Sequence, residues 1–274
     1  MGGVRWRAIV DNDFAGDPDG LASLAHVLLT DDVQVELITC TPVDPALASL
    51  VGIDPSSTAA LGQQYARALL DALGADHPVV MGAESFGIGP EPSDAARAIV
   101  TACMSESDVP LAILCGGPLT NIAAAIALEP RICERALLAW IGGSIADAPE
   151  YNRDTDAASA ASVLDSSMPC VQVPRETYER LRISLAEVRH DLAGASPVGA
   201  WLAERLLDVP PFVSLHGTLT LGDSALAALI GLDATFVPAE SGRPLRRMLT
   251  DVDTRLVWGD FLAKLRLRER VSLR

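Results

Sequence analysis

The hydrophobic positions of this chain fall into short aliphatic runs that alternate with longer segments of helical period. The runs are rich in aliphatic or β-branched residues and mostly bounded by Gly, Pro or Asp, which is typical of buried strands. They are Arg7–Val10, Val33–Thr39, Pro78–Met81, Leu111–Leu114, Leu137–Ile141 and Cys170–Val173. The helical segments are Leu21–Leu29, Ser57–Leu73, Ser93–Met104, Leu119–Leu128, Ala157–Asp165, Arg175–Leu185, Pro197–Leu207, Ser224–Ile230 and Asp253–Leu267.

Strands that are apolar throughout and separated by helices predict a parallel sheet covered by helices on both faces. No low-complexity linker and no internal repeat interrupts the alternation. We therefore expect a single α/β domain over residues 1–274, with a mostly parallel, Rossmann-like open sheet flanked by helices. Ligands of such sheets bind beyond the carboxyl ends of the strands, so the loops that follow the strands are the first place to look for chemistry.

The composition narrows the classes of partner and the compartment. The 274 residues include 36 Asp and Glu against 21 Lys and Arg, a net charge of −15. Such a surface repels phosphate backbones and anionic headgroups, which excludes nucleic acid and membrane surfaces as default partners. The five cysteines show no CxxC spacing and several lie in apolar runs, so we expect buried free thiols. With no membrane-length apolar window and no signal-like apolar stretch near residue 1, we expect a cytoplasmic protein.

Four carboxylates crowd the loop after the first strand. Asp11, Asp13, Asp17 and Asp19 fall within nine residues. Like charges this close repel one another unless a cation lies among them or some of them stay protonated. Helix capping accounts for one or two of these residues but not for four, and the spacing lacks the final Glu of an EF-hand. The loop therefore predicts a site for a hard divalent ion.

Two further segments carry polar side chains on the same predicted edge. Glu150 and Asn152 follow the strand Leu137–Ile141, and a carboxylate acceptor beside an amide suits the hydroxyls of a sugar. The alternative interpretation is a polar loop that caps the helix Ala157–Asp165. Asp223 opens an apolar helix and by itself is an ordinary N-cap. It gains meaning only together with the other two segments.

Together these motifs resemble those of the inosine–uridine-preferring nucleoside hydrolase family, across roughly residues 7–267. The family's opening Asp-x-Asp-Pro-Gly-x-Asp-Asp loop is similar to residues 11–19, where Pro18 is inserted between the last two carboxylates. Its Thr-Gly-Pro-Leu-Thr-Asn segment, its Gly-Gly turn, its Glu-Phe-Asn loop and its late His-Asp-Pro segment are matched in order by residues 116–121, 142–143, 150–152 and 222–224. The resemblance implies the family's α/β fold and a ribonucleoside as small-molecule substrate.

The resemblance also implies a calcium site and a mechanism. One Ca²⁺ would be held by Asp13, Asp19, Asp223 and the backbone carbonyl of Gly116. Asp13 would be the general base that activates a metal-bound water, which then hydrolyses the N-glycosidic bond and releases nucleobase and ribose. Because of the insertion at Pro18, Asp17 and Asp19 could exchange or share their roles.

The sugar contacts implied by the resemblance come from three loops. The ribose hydroxyls would bind to the metal and to Asp17, with hydrogen bonds from Asn152 and Glu150. The family's Gly-Asn near the sugar is missing after the second strand, where Asp44 is the nearest polar substitute. Members of the family are usually oligomeric, so we expect a homodimer or homotetramer.

The leaving group is where the sequence departs from the family. Gly222 stands where many purine-cleaving members have a His that protonates the departing base, a contribution worth about 10²–10⁴ in rate. His216, six residues upstream, is a candidate replacement, although a lone His between hydrophobic residues is also typical of a structural role. The segment Glu84–Pro92 is shorter than its counterpart, which predicts a reduced lid. The base specificity is therefore not inherited from the family.

Other functions remain as alternatives. Asp11 and Asp13 after a strand, with Asp223 late in the chain, also suggest a phosphatase of the haloacid-dehalogenase type. That chemistry needs a Lys between these motifs, and the only Lys is Lys264, beyond both, which argues strongly against a phosphatase. A pseudo-enzyme that binds a nucleoside or ribose without turnover stays open, as does a specialised-pathway glycosidase that acts on a modified nucleoside.

Overall fold

The short aliphatic runs of the sequence form the central sheet. A computed structural model describes residues 4–16, 18–210, 212–232, 235–238 and 246–272. Its strands are β1 (Trp6–Asn12), β2 (Val33–Cys40), β3 (Val79–Met81), β4 (Leu111–Cys115), β5 (Ala136–Ile141), β6 (Cys170–Val173), β7 (Arg182–Ser184), β8 (Thr218–Thr220), β9 (Thr235–Pro238) and β10 (Arg246–Asp251). Eight of them form one sheet in the order β3-β2-β1-β4-β5-β6-β10-β9. In this order the first seven strands, which end with β10, are parallel, and β9 at the edge is antiparallel to β10. The expected fold class is confirmed.

Helices connect the strands and cover the sheet. They are α1 (Asp19–Leu28), α2 (Pro45–Leu50), α3 (Thr58–Leu73), α4 (Asp94–Met104), α5 (Thr120–Leu128), α6 (Tyr151–Thr155), α7 (Ala157–Asp165), α8 (Arg175–Tyr178), α9 (Leu185–Glu187), α10 (Pro197–Leu207), α11 (Ala225–Gly231) and α12 (Thr254–Ser272). Short 3₁₀ segments occur at Pro55–Ser57, Pro130–Glu134 and Gly222–Ser224, and a π turn at Val188–Leu192. Side chains fix several starts, as where Ser93 Oγ accepts the N–H of Ala96 at the first turn of α4.

The core lies in two layers, one on each face of the sheet. Within β1, Ala8 and Val10 pack with Leu24 of α1 in the larger cluster, whereas Ile9 packs with Ile99 of α4 in the other. This alternation follows from the twofold period of a strand. Because both faces are buried, the middle of each central strand is mostly apolar, as in Ala8–Val10 of β1 and throughout β4. Each fully buried Val or Ile contributes about 1.5–3 kcal/mol.

The predicted helix Arg175–Leu185 is wrong over most of its length. The helix ends at Tyr178, and the chain then forms β7, which pairs antiparallel with β8. In β7 the buried Ile183 lies between the exposed Arg182 and the half-buried Ser184. That is strand-like alternation, but three residues are too few to distinguish it from a helical pattern. The antiparallel edge formed by β9 and β10 was not predicted either.

The loop that the sequence predicts as a reduced lid is anchored at two points. Glu84 accepts the N–H groups of Ala59 and Ala60 at the start of α3, both at 2.8 Å. Farther along the loop, the N–H of Gly87 donates to Asp156 Oδ2 at 2.9 Å. The same oxygen accepts the Thr120 hydroxyl at 2.6 Å. Asp156 therefore ties this loop to the start of α5.

Two expectations about the chain as a whole can be compared with the structure. All five cysteines are buried and free, as predicted. Within the described ranges, no helix has the length and apolar character needed to cross a bilayer.

Candidate active site

The predicted edge of the sheet contains a cavity of about 290 Å³. It lies where β1, β4 and β5 end, and because these strands are neighbours in the sheet their following loops are neighbours too. The 3₁₀ segment Gly222–Ser224, which precedes α11, borders the same space. The lining residues are Asp13, Gly16, Asp19, Leu47, Gly116, Ile141, Glu150, Tyr151, Asn152, Tyr178, Thr220, Gly222 and Asp223.

The loop after β1 places two of its carboxylates at this cavity. Asp13 follows directly on β1 and is 4% exposed, and Asp19 is the first residue of α1 and is 6% exposed. The backbone N–H of Gly16 donates to the carbonyl of Asp13 at 2.7 Å, which turns the chain back toward the helix. Asp17, predicted to bind the sugar, lies outside the described residues.

The late carboxylate, Asp223, joins the first loop although about 200 residues separate them. Its backbone N–H donates to Asp19 Oδ2 at 3.1 Å. Its Oδ2 accepts the side-chain amide of Asn12 at 2.7 Å, and Asn12 Oδ1 accepts the N–H of Asp13 at 2.8 Å. Asn12 thus links two of the predicted metal ligands. Asn12 was not among the predicted site residues, and its place inside the acidic loop was the one available signal.

Gly116 permits this close approach. A Cβ at position 116 would lie 2.3 Å from Asn12 Nδ2 and 2.5 Å from Asp223 Oδ2. No side chain fits there unless both groups move. The resemblance gives this residue a role only through its carbonyl, whereas the structure adds a steric reason for glycine.

The loop after β5 supplies the predicted sugar-binding pair. Asn152 Nδ2 donates to the carbonyls of Gly116 at 2.8 Å and Ile141 at 2.9 Å, so both hydrogens of its amide are used within the protein. Glu150 accepts the N–H of Gly143 at 2.6 Å and also caps α6. Capping, the alternative interpretation of this loop, also holds, because Glu150 caps α6 and Asp156 caps α7, where its Oδ1 accepts the N–H of Ser159 at 3.1 Å. Glu150 and Asn152 nevertheless both line the cavity.

Asp11 lies behind the loop, on the sheet side. It is fully buried and accepts hydrogen bonds from the Thr39 hydroxyl at 2.5 Å and from Asn121 Nδ2 at 2.8 Å. Burial raises the pKa of this carboxyl to about 6, although these bonds and a contact with Cys115 lower it. Asp11 therefore fixes the base of the loop and does not face the cavity.

Two tyrosines form part of the cavity wall, and the sequence analysis assigned neither of them a role. The Tyr151 hydroxyl accepts the backbone N–H of Asp44 at 3.1 Å, and the Tyr178 hydroxyl donates to Glu150 Oε1 at 3.1 Å. Burial raises the pKa of both phenols, helped by the negative charge of Asp13 in the first case and of Glu150 in the second. Both rings are therefore neutral. No sequence signal marks Tyr178, because its partner is 28 residues away.

Two predicted residues are not among those that line the cavity. Asp44 caps α2, where its Oδ1 accepts the N–H of Leu47 at 2.8 Å. His216 is exposed on a turn, where its backbone has a φ of 45° and its Nδ1 lies 3.5 Å from Ser214 Oγ. The structure therefore brings neither of them to the carboxylates.

The donor set at the cavity has the chemistry that a hard divalent cation requires. Asp13, Asp19 and Asp223 are buried oxygen donors that border one space, and the carbonyl of Gly116 lies beside them. In the described part of the chain, no group of three or more His, Cys, Asp or Glu side chains is arranged to hold a metal ion. These residues fit calcium in the type of their donor atoms. Because they are not grouped closely enough to hold an ion in this structure, binding would require the three carboxylates to move closer to one another.

Comparison with known proteins identifies the family. The family model for inosine-uridine preferring nucleoside hydrolase matches residues 8–254. The chain belongs to this family. The pyrimidine-specific ribonucleoside hydrolase RihA of Enterobacter sp. (strain 638) is 30% identical over 138 residues, which is 46% of this chain and 43% of that protein. RihA of Salmonella typhimurium is 28% identical over the same shares. The aligned part thus spans less than half the length of these curated relatives.

Solved structures, among them two nucleoside hydrolases, share the fold over nearly the whole chain. An inosine-guanosine nucleoside hydrolase superposes with a TM-score of 0.73 at 19% identity, covering 97% of this chain and 99% of that one. A plant nucleoside hydrolase gives 0.74 at 16% identity, over 94% and 98%. The type III effector protein XopQ, solved with adenosine diphosphate ribose, gives 0.72 at 15% identity, over 98% and 95%. At these identities the likeness shows the fold alone.

Proposed function

We propose that this chain hydrolyses the N-glycosidic bond of a ribonucleoside and releases ribose and a nucleobase. The observation that carries the proposal is the convergence of Asp13, Asp19 and Asp223 on one cavity beside Asn152. At about 290 Å³, the cavity is at the small end of ligand pockets, which suits a nucleoside better than a larger ligand. Membership of the nucleoside hydrolase family supports the same reaction.

The residues present can divide the work of such a hydrolysis. Cleavage passes through an oxocarbenium-like state, which nearby carboxylates stabilise. Asp13 is our candidate for the general base that takes a proton from the attacking water. Both amide hydrogens of Asn152 are held by backbone carbonyls, so it can offer a sugar hydroxyl only Oδ1, an acceptor. Glu150, which accepts several N–H groups and the Tyr178 hydroxyl, mainly holds its loop in place.

We propose Ca²⁺ as the cofactor, with Asp13, Asp19, Asp223 and the Gly116 carbonyl as its ligands on this chain. A bound divalent ion lowers the pKa of its water and orients hydroxyl groups. Asp17 and Asp44 stay predictions as sugar ligands, and His216 stays a prediction as the acid, although its exposed turn does not favour that role.

The activity is tested by measuring ribose release from a panel of ribonucleosides with wild type and Asp13→Asn. Asp13→Asn keeps the shape of the side chain and removes its basicity, so we expect turnover to fall by about 10²–10⁴ if Asp13 is the base. Asp108→Asn, at an exposed loop position, is the matched control and should leave turnover unchanged. A fully active Asp13→Asn would assign the base to another residue.

The metal is tested without reference to activity. Protein treated with a chelator is titrated with Ca²⁺ while its Tm is recorded. An ion that binds only the native state stabilises it by about 2.7 kcal/mol at 100 times its Kd. We expect Tm to rise with Ca²⁺ and the rise to be lost in Asp223→Asn. An unchanged Tm at millimolar Ca²⁺ would reject calcium as the cofactor.

One observation favours the alternative of a nucleoside-binding pseudo-enzyme. The described residues that line the cavity include no His, Lys or Arg, so a strong proton donor for the leaving base is missing there. A pseudo-enzyme would bind nucleosides in calorimetry without releasing ribose from any of them. The homodimer or homotetramer that the resemblance implies is a separate prediction, which light scattering tests.

A further inference from the structure

The proton donors that face the cavity are few and weak. The chain has four histidines and one lysine, and none of them is among the described residues that line the space. The remaining hydroxyl and amide donors of the wall include Tyr151, Tyr178, Thr220 and Asn152. Asn152 uses both amide hydrogens on backbone carbonyls, and Tyr178 donates its proton to Glu150.

The wall beside Gly222 is an aromatic ring. A Cβ at position 222 would lie 3.0 Å from Cδ2 of Tyr178 and within 3.5 Å of its Cγ and Cβ. The ring thus occupies the space that a side chain grown from position 222 would need. An imidazole at 222 and the ring at 178 cannot both be present without a shift. The sequence therefore has a neutral aromatic surface at a position from which an acid could have reached the base.

The movement of electrons in the reaction determines which bases can leave without a proton donor in this wall. Water adds through oxygen to the anomeric carbon, the C–N bond breaks, and both bonding electrons go to the nitrogen of the base. A neutral base then leaves as an anion unless an acid protonates it, and that proton is worth about 10²–10⁴ in rate. A base that already carries a fixed positive charge leaves as a neutral molecule, and the proton of the water passes to the general base and then to solvent.

The charges around the cavity favour such a cation. Asp13, Asp19, Glu150 and Asp223 line it together with two tyrosine rings, and these four carboxylates outnumber the two positive charges of the proposed Ca²⁺. Aromatic rings attract cations by about 0.5–2 kcal/mol, depending on desolvation. Resting on the proposed ribohydrolase activity, we propose that the preferred substrate is a ribonucleoside whose base carries a fixed positive charge, such as an N-ribosylpyridinium or an N-alkylated purine riboside.

The test compares ribosides that differ mainly in charge. 7-Methylguanosine is cationic at its imidazole ring and guanosine is not, while 4-nitrophenyl riboside is neutral with a good leaving group. We expect kcat/KM for 7-methylguanosine to exceed that for guanosine by about 10²-fold or more. We also expect 1-methylnicotinamide, a cation that cannot be cleaved, to inhibit with a Ki about 2- to 30-fold below that of neutral nicotinamide.

The outcomes separate this proposal from the proposed function. Equal cleavage of guanosine and 7-methylguanosine would overturn the proposal and leave the ribohydrolase activity intact. Rapid cleavage of 4-nitrophenyl riboside would do the same if 7-methylguanosine is cleaved no faster than guanosine and 1-methylnicotinamide inhibits no better than nicotinamide. Leaving-group quality alone would then determine the rate. If none of the three ribosides is cleaved, both proposals fail.

Variants at the wall give a second readout. Tyr178→Phe keeps the ring and should keep the lower Ki of 1-methylnicotinamide, whereas Tyr178→Leu should bring it close to that of nicotinamide. The double variant Tyr178→Ala with Gly222→His makes room for an imidazole and should raise guanosine cleavage relative to 7-methylguanosine. A Tyr178→Leu protein that folds, as judged by its Tm, and still prefers the cation would exclude the ring from the recognition.

Discussion

Replacing Gly116 by Ala adds one methyl group to the most crowded point of the site. The new Cβ would lie 2.5 Å from Asp223 Oδ2, about 1 Å less than the 3.4 Å at which ordinary van der Waals contact begins. Asn12 Nδ2 would be closer still, at 2.3 Å. Both groups are buried and hydrogen-bonded to each other. They therefore have to move together, which displaces the Asp223 carboxylate from its present position in the site.

The expected size of the effect follows from that displacement. Adding a methyl group to a well-packed interior costs about 1–3 kcal/mol, and for a chain of this length each kcal/mol lowers Tm by about 2–4 °C. A misplacement of about 1 Å in a catalytic constellation can cost about 10²-fold in rate. We therefore expect Gly116→Ala to lose about 10²-fold in kcat/KM for ribose release at a temperature where the protein is still folded.

The control is Gly259→Ala in α12. Position 259 is exposed, and no atom lies within 4 Å of its Cβ. Because alanine is a better helix former than glycine, this variant should be more stable by up to about 1 kcal/mol and fully active. Ribose-release kinetics and thermal unfolding of both variants decide the matter. Full activity of Gly116→Ala would refute the steric account of the site.

Two further predictions concern stability. Burial would raise the pKa of Asp260, but hydrogen bonds from His26 and Lys264 bring it to about 2, and burial lowers the pKa of His26. The native state thus binds fewer protons than the unfolded chain, so unfolding by urea should become easier as pH falls below about 6.5 and again between about 4 and 2. In Asp260→Asn the second decrease should be smaller, and an unchanged profile would contradict the assignment. Asp156→Ala removes the acceptor of two buried donors, the Thr120 hydroxyl and the Ser159 N–H. The free energy of unfolding in urea should fall by about 2–3 kcal/mol, and an unaltered midpoint would disprove this.

The sheet and the edge that carries the site were predictable for a physical reason. Strands buried on both faces are mostly apolar, so β4 and the middle of β1 appear in the sequence as continuous aliphatic runs. Parallel strands then bring their following loops to one edge, whatever their separation in sequence. Asp223 follows β8, which is not part of this sheet, so its place beside Asp19 was expected only from the family resemblance. The three-residue strands β7 and β8 carry too few positions for any period to show, and the predicted helix there was wrong.

The roles of individual side chains were harder to predict, because they depend on which residues lie next to them in the folded structure. Asp44 is followed by proline, a common sign of a helix start, and that signal could have identified it as the cap of α2. For His216, no local feature of the sequence says that its turn points away from the carboxylates. Tyr178 gains its meaning from Glu150 and Gly222, which come together with it only after folding.

Two glycines at the site illustrate what a motif match leaves unsaid. In the sequence, Gly116 and Gly222 are both positions where a family side chain is missing. In the structure, each missing side chain is replaced by a different group: the Asp223 carboxylate and the Asn12 amide approach Gly116, and the Tyr178 ring packs on Gly222. The first glycine admits the carboxylate of a proposed metal ligand, and the second leaves the space beside it to the Tyr178 ring. If both inferences hold, Gly116→Ala should slow every riboside alike, whereas variants at 178 and 222 should change which riboside is preferred. A change of preference in Gly116→Ala would mean that the two glycines do not have these separate effects.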